Sequence, residues 1–153
     1  MGSKLITEAL QKEGLDPAAA RMLAISSGGR LGMALQFHRT GRLAKRNAAL
    51  DQILEARKRK DLENPFPPKT SRDEIEEYVE WYAGWCRDLL VLKLKGDPAW
   101  VIHQDRLEQL QKAAAVVPAE AIFTQVDRAY RVREAVQKNA LVKSAMAVLL
   151  SHG

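Results

Sequence analysis

Three histidines, one cysteine and 19 acidic side chains are the groups of this 153-residue chain that can act as nucleophile, base or metal ligand. Cys86 would be a nucleophile only with a histidine at hand to take its proton. It lies instead on the apolar side of a Trp-rich helical segment, where a buried, inert thiol is expected. Zinc requires Cys and His gathered at ligand spacing, and Cys86, His38, His103 and His152 show none. Glu76 and Glu80 stand one helical turn apart, a spacing that suits acid–base work or a hard cation. With no further polar residue converging on them, they read as the solvated flank of a helix, as does the neighbouring Glu77. His38 reads as a core-edge or capping residue, and Trp81, Trp85 and Trp100 as core or interface anchors. A phosphate-binding loop would need glycines followed by Lys and Ser or Thr, and no such stretch occurs. No catalytic residue, metal or cofactor is assigned, and the residues by themselves point to a binding or scaffolding protein.

What positions these groups follows from composition and period. At 46% apolar and 28% charged residues the chain falls among folded globular sequences, and its length is that of one domain or two small ones. A single cysteine excludes an internal disulfide and fits a reducing compartment. The most apolar stretch, 140–150, is too short to span a bilayer and is broken by Lys143 and Ser144, so a cytoplasmic protein is expected. Met1-Gly2-Ser3 reads as a cloning scar ahead of an internal piece.

Apolar residues recur at helical spacing throughout, and no segment alternates with period two long enough for a strand. Helices are predicted over 4–12, 16–26, 30–39, 42–61, 71–95, 104–116, 118–136 and 139–151. Asp16-Pro17 supplies an N-cap and a first-turn proline, and Ser71 with Glu74 forms a capping box. Gly14, Gly41 and the Gly96-Asp97-Pro98 run read as stops. Asn64 to Thr70 carries three prolines in seven residues and must be an extended connector. The fold class is all-α, with eight helices.

The charge is uneven. Residues 1–64 hold 12 basic and 7 acidic groups, whereas residues 65–153 hold 12 of each. Arg39, Arg42, Lys45, Arg46, Arg57, Lys58, Arg59 and Lys60 cluster in the first part, relieved by Asp51 and Glu55. Such a patch can attract phosphate through counterion release, with Arg57, Lys58, Arg59 and Lys60 as candidate contacts. Without interleaved aromatics it reads more simply as a solvated helix face.

Residues Ala24-Ile25-Ser26-Ser27-Gly28-Gly29-Arg30-Leu31-Gly32-Met33-Ala34-Leu35 resemble the lid of AAA+ clamp-loader subunits, where a Ser-Gly-rich turn opens into a helix. Gly29 would free the turn, Gly32 would permit close helix packing, and Ala34 and Leu35 would begin the buried stripe. Further along, Trp85-Cys86-Arg87-Asp88-Leu89-Leu90, then Ile102-His103-Gln104-Asp105, then Asn139 with Leu149-Leu150 resemble in order the C-terminal region of the bacterial DNA polymerase III delta-prime subunit. The resemblance spans about residues 5 to 150. It implies a three-helix lid over residues 1–40 and a five-helix collar domain over residues 41–153.

It further implies a C-terminal piece without the AAA+ core, zinc module or arginine finger. Gly32 stands where ATP-hydrolysing relatives carry the sensor-two arginine, so this lid would not complete an ATPase site. Its implied work is association with tau or gamma and delta subunits in a hetero-oligomeric ring, with DNA met only indirectly or weakly and no membrane involved. The competing reading is a stand-alone helical nucleic-acid-binding protein that uses the 39–60 patch.

Overall fold

A computed structural model of the chain describes residues 3–61, 63–138 and 141–151. The described residues form eight α-helices and no strand: α1 (Ser3–Lys12), α2 (Pro17–Ser26), α3 (Leu31–Arg39), α4 (Arg42–Lys58), α5 (Arg72–Lys93), α6 (Leu107–Val116), α7 (Ala119–Gln137) and α8 (Val142–Leu150). Two short 3-10 turns, Pro98–Trp100 and Gln104–Arg106, fill the connector between α5 and α6. The predicted all-α class and its eight helices are therefore present. Asn139, His152 and the Met1-Gly2 pair lie outside the described residues.

The first three helices close on a small apolar cluster of their own. Ile6 and Leu10 of α1 meet Ala20, Leu23 and Ala24 of α2 and Ala34 of α3, all fully or almost fully buried. Asp16 caps α2 by accepting the Ala19 amide at 3.3 Å, and Pro17 occupies its first position. The Ser27-Gly28-Gly29 turn needs left-handed backbone, with φ of +62° at Gly28 and +81° at Gly29, as expected for Gly29. The packing role expected of Gly32 is corrected by its surroundings. The residue is exposed, and a Cβ there would meet nothing within 4 Å.

A second, larger cluster is built around α5. Its capping box is complete, with Glu74 N–H donating to Ser71 Oγ at 3.1 Å and Ser71 N–H to Glu74 Oε1 at 3.4 Å. Ile75, Val79, Tyr82, Trp85 and Cys86 form its buried stripe, against Leu50 and Ile53 of α4, Leu110 of α6, Ala129 and Val132 of α7 and Met146 and Leu149 of α8. The helix thus touches α4, α6, α7 and the first 3-10 turn. The proline-rich connector seats Phe66 in this cluster, its ring 5.0 Å from that of Tyr78.

Chain reversal after α4 and α5 uses no glycine in the left-handed position. Lys60 (φ 58°) and Lys95 (φ 60°) take that conformation. Asp61 N–H bonds the Ala56 carbonyl at 3.0 Å and Gly96 N–H that of Val91 at 2.8 Å, the six-to-one bond of a Schellman cap. The stop assigned to Gly96 thus acts one residue earlier. The predicted helix from 104 begins instead at Leu107, behind the 3-10 turn, for a reason that lies in the site.

Candidate functional site

The burial of Arg46 contradicts its residue type. It was expected among the solvated basic patch, yet it is 0% exposed and ranks among the largest fully buried side chains. Its spacing explains this: Leu43, Arg46, Leu50 and Ile53 fall three or four apart, so Arg46 shares the inward stripe of α4. A buried guanidinium must be paired and hydrogen-bonded. Its Nη2 donates to Asp105 Oδ2 and its Nη1 lies 3.0 Å from His103 Nδ1. Burial lowers the Arg46 pKa and the Asp105 charge opposes that, and the guanidinium keeps its proton.

His103 and Asp105 come from the α5–α6 connector, and α5 holds that connector. Asp88, fully buried on α5, accepts the Ile102 amide through Oδ1 and the His103 amide through Oδ2, each at 2.9 Å. The Trp81 carbonyl lies 3.1 Å from His103 Nε2. A carbonyl can only accept, so Nε2 carries the ring proton and Nδ1 is left as the acceptor for Arg46. Burial, with the Arg46 charge beside it, pulls the His103 pKa down to about 3, and the ring is neutral at ordinary pH. Burial pushes Asp88 up to about 6, against the two amides that favour its charge. Gly84 completes the fit, since a Cβ there would stand 3.4 Å from His103 Nε2 and 3.6 Å from Ile102 Cδ1.

The turn is tied to α4 a second time. Arg106 bonds Asp51 through both guanidinium arms, at 2.5 and 3.2 Å, and Asn47 Oδ1 at 3.1 Å. These ties hold residues 104–106 as a 3-10 turn and delay α6 to Leu107. They also bring the Arg87-Asp88 and Ile102-to-Asp105 segments into direct contact. Helix α2 packs on this turn, so the knot lies where the α1–α3 group meets the rest. Arg46 Nε and Asp105 Oδ1 are buried without a partner among the described residues.

Above the knot lies a cleft of about 520 Å³. One wall is α5, with Asp73, Glu76, Glu77, Glu80, Trp81 and Gly84, and the opposite wall is Met22, Leu23 and Ser26 of α2 with Phe37 of α3. Arg42 crosses it and donates to Glu77. The carboxylates that read as a solvated flank therefore border a cleft. His103 lines it too, but both ring nitrogens are engaged and the residue is 1% exposed, so it offers no base to a bound molecule.

Cys86 is buried and burial pushes its thiol up to about 12, which leaves it protonated. Trp85 is buried, while Trp100 is 62% exposed. Among the described residues no three His, Cys, Asp or Glu gather at metal-holding distance. No helix among them is long and apolar enough to cross a membrane. Of the candidate phosphate contacts, Arg57 donates through Nη1 to the Leu149 and Ser151 carbonyls at 2.9 and 3.1 Å, closing the end of α8. Lys58, Arg59 and Lys60 are exposed. Arg39 pairs with Glu13 at 2.8 Å, so four of the eight patch cations have protein partners. Ala34 is fully buried, and Leu35 packs half-buried beside it.

Asp88, His103 and Asp105 stood within segments singled out by resemblance, but Arg46, which binds two of them, did not. The signal that would have found Arg46 is its place in the apolar period of α4.

No curated protein and no solved structure matches the chain. The family described as DNA polymerase III, delta subunit, C terminal, matches residues 40–148. That span takes in α4 to α7 and most of α8, including every residue of the knot, and it is well over half of the chain. The protein belongs to this family, that of the C-terminal region of the DNA polymerase III delta subunit, a clamp-loader family of DNA replication.

Proposed function

We propose that this chain is the lid and collar region of a delta-prime-type clamp-loader protein, cytoplasmic and replicative, that acts by association and carries no chemistry of its own. The observation that carries the reading is the coincidence of the family span, 40–148, with the helices built around α5. The separate cluster of α1 to α3 supports a division into a three-helix lid, about residues 1–40, and a five-helix collar, about 41–153. An exposed Gly32 at the sensor-two position fits a lid that does not touch nucleotide.

The collar would meet tau or gamma and delta subunits through apolar side chains its own core leaves outside. Val116, Phe123, Tyr130, Leu141 and Val148 are each at least 36% exposed on α6, α7 and the α8 entry and outer face. Large apolar residues in such numbers on neighbouring helices are what an interface between proteins uses. Hydrogen exchange of the chain, alone and mixed with the C-terminal regions of tau or gamma and of delta, tests this. Slowed exchange in α7 and α8 on mixing supports the reading, and unchanged exchange with every partner at micromolar concentration removes it.

The nucleic-acid reading would rest on Lys58, Arg59 and Lys60, the exposed cations at the end of α4. It predicts DNA binding at low salt that is lost on charge reversal at these three positions.

A further inference from the structure

The two apolar clusters share no residue, and the chain passes from one to the other around Thr40-Gly41, with Leu43 in the first turn of α4 still packed half-buried against the first cluster. Gly41 has φ of +71° and a Cβ there would meet nothing within 4 Å, so the backbone conformation, and not packing, demands glycine. The next residue, Arg42, is the first of α4. A cation at that position faces the positive end of the helix dipole, which is locally unfavourable. A residue that breaks a local rule calls for a gain elsewhere.

The gain lies across the cleft. The Arg42 guanidinium sits 4.6 Å over the Phe37 ring of α3 and 6.0 Å from the Trp81 ring of α5, and its Nη2 donates to Glu77 of α5. One planar cation thus touches an aromatic ring from each cluster and a carboxylate of the opposite wall. Beside it the two groups are parted by the cleft, and they meet again where α2 rests on the Gln104–Arg106 turn.

We propose that Arg42 is a catch that fixes the angle between the α1–α3 group and the α4–α8 group, with Thr40-Gly41 as the pivot. The knot at Arg46 and Asp105 secures the turn on which α2 rests, and the Arg42 catch holds the mouth of the cleft. With the catch removed, α3 swings away from α5 about this pivot, beside which Leu43 packs, while the buried residues of each apolar cluster stay together.

The test uses the full chain with spin labels on Gln36→Cys in α3 and Arg131→Cys in α7, both at exposed positions, with Cys86 buried and protonated. Pulsed electron spin resonance then reads the distance distribution between the groups. The wild-type background is expected to give one narrow distribution, and Arg42→Gln to at least double its width or add a second, longer population. Glu77→Gln should move in the same direction by less, since the ring contacts remain, and the double variant should match Arg42→Gln alone, because Glu77 acts only through Arg42. Arg42→Lys keeps the charge but loses the planar stack, and should fall between. A circular dichroism spectrum unchanged from wild type separates opening from unfolding. Superimposed distributions in wild type and a folded Arg42→Gln overturn the proposal. If Arg42→Gln does not fold, Glu77→Gln decides by the same comparison.

Discussion

Replacing Arg46 by Met removes a guanidinium that is wholly buried and keeps most of its volume. What remains is an Asp105 carboxylate that is 15% exposed and has lost its cation, and a His103 Nδ1 with no donor. Breaking one side of a buried ion pair costs roughly 3–5 kcal/mol, mostly the cost of the stranded charge. Against a total stability of about 5–15 kcal/mol this is a large fraction, and it should lower Tm by roughly 10 °C in a chain of this size. The assay is urea and thermal unfolding followed by circular dichroism, with Asp105→Leu and the Arg46→Met/Asp105→Leu pair alongside. Removing both charges replaces the pair by apolar packing, so the double variant should recover about half of the single loss, His103 Nδ1 still lacking its donor. A loss below about 1 kcal/mol for Arg46→Met, or a double variant equal to the sum of the singles, would refute the claim that this network holds the connector.

The His103 ring gives a pH test. The unfolded chain takes up its proton near pH 6.5 and the folded chain not until about pH 3, so the unfolded state binds more protons in between and stability falls as pH drops through that window. Asp88 acts in the opposite sense from about pH 6 down to 4, because the folded state protonates first. The cost of His103→Asn should therefore shrink by about 2 kcal/mol between pH 7 and pH 5, and a cost independent of pH would contradict the neutral, desolvated ring. Arg57→Ala strips a charged donor from the Leu149 and Ser151 carbonyls and should cost about 2 kcal/mol, with hydrogen exchange accelerated first in α8. Lys60→Gly relieves a left-handed lysine at the end of α4 and should raise stability by about 1 kcal/mol in the same unfolding assay.

The helices were legible because their information is local. The Ser71–Glu74 box, Asp16-Pro17 and the three prolines of 64–70 each act within a few residues of themselves, and each does in the structure what its chemistry dictates. The helix ends at Lys60 and Lys95 were less legible, because the Schellman hydrogen bonds outweigh the cost of a left-handed lysine, so no glycine marks the end of α4 and Gly96 marks that of α5 one residue late. Gly32 misled in the other direction, being small for no packing reason that its surroundings reveal.

The site was hidden for a different reason. Arg46 meets residues 57 and 59 positions away, and Asp88 meets residues 14 and 15 away, so no periodicity within one helix reports them. Charge counting placed Arg46 in a surface patch, although the apolar period of α4 runs through it. The two segments that carry the clamp-loader resemblance are joined by Asp88, which gives their order in the sequence a physical meaning.

Sedimentation velocity tests the central claim most directly, with the chain mixed with the C-terminal regions of tau or gamma and of delta. The account predicts a faster boundary containing the chain at micromolar concentration, lost when Phe123 and Tyr130 are both changed to Asp while the chain stays folded. A chain that sediments alone with every partner, or a complex indifferent to the double change on α7, would contradict it.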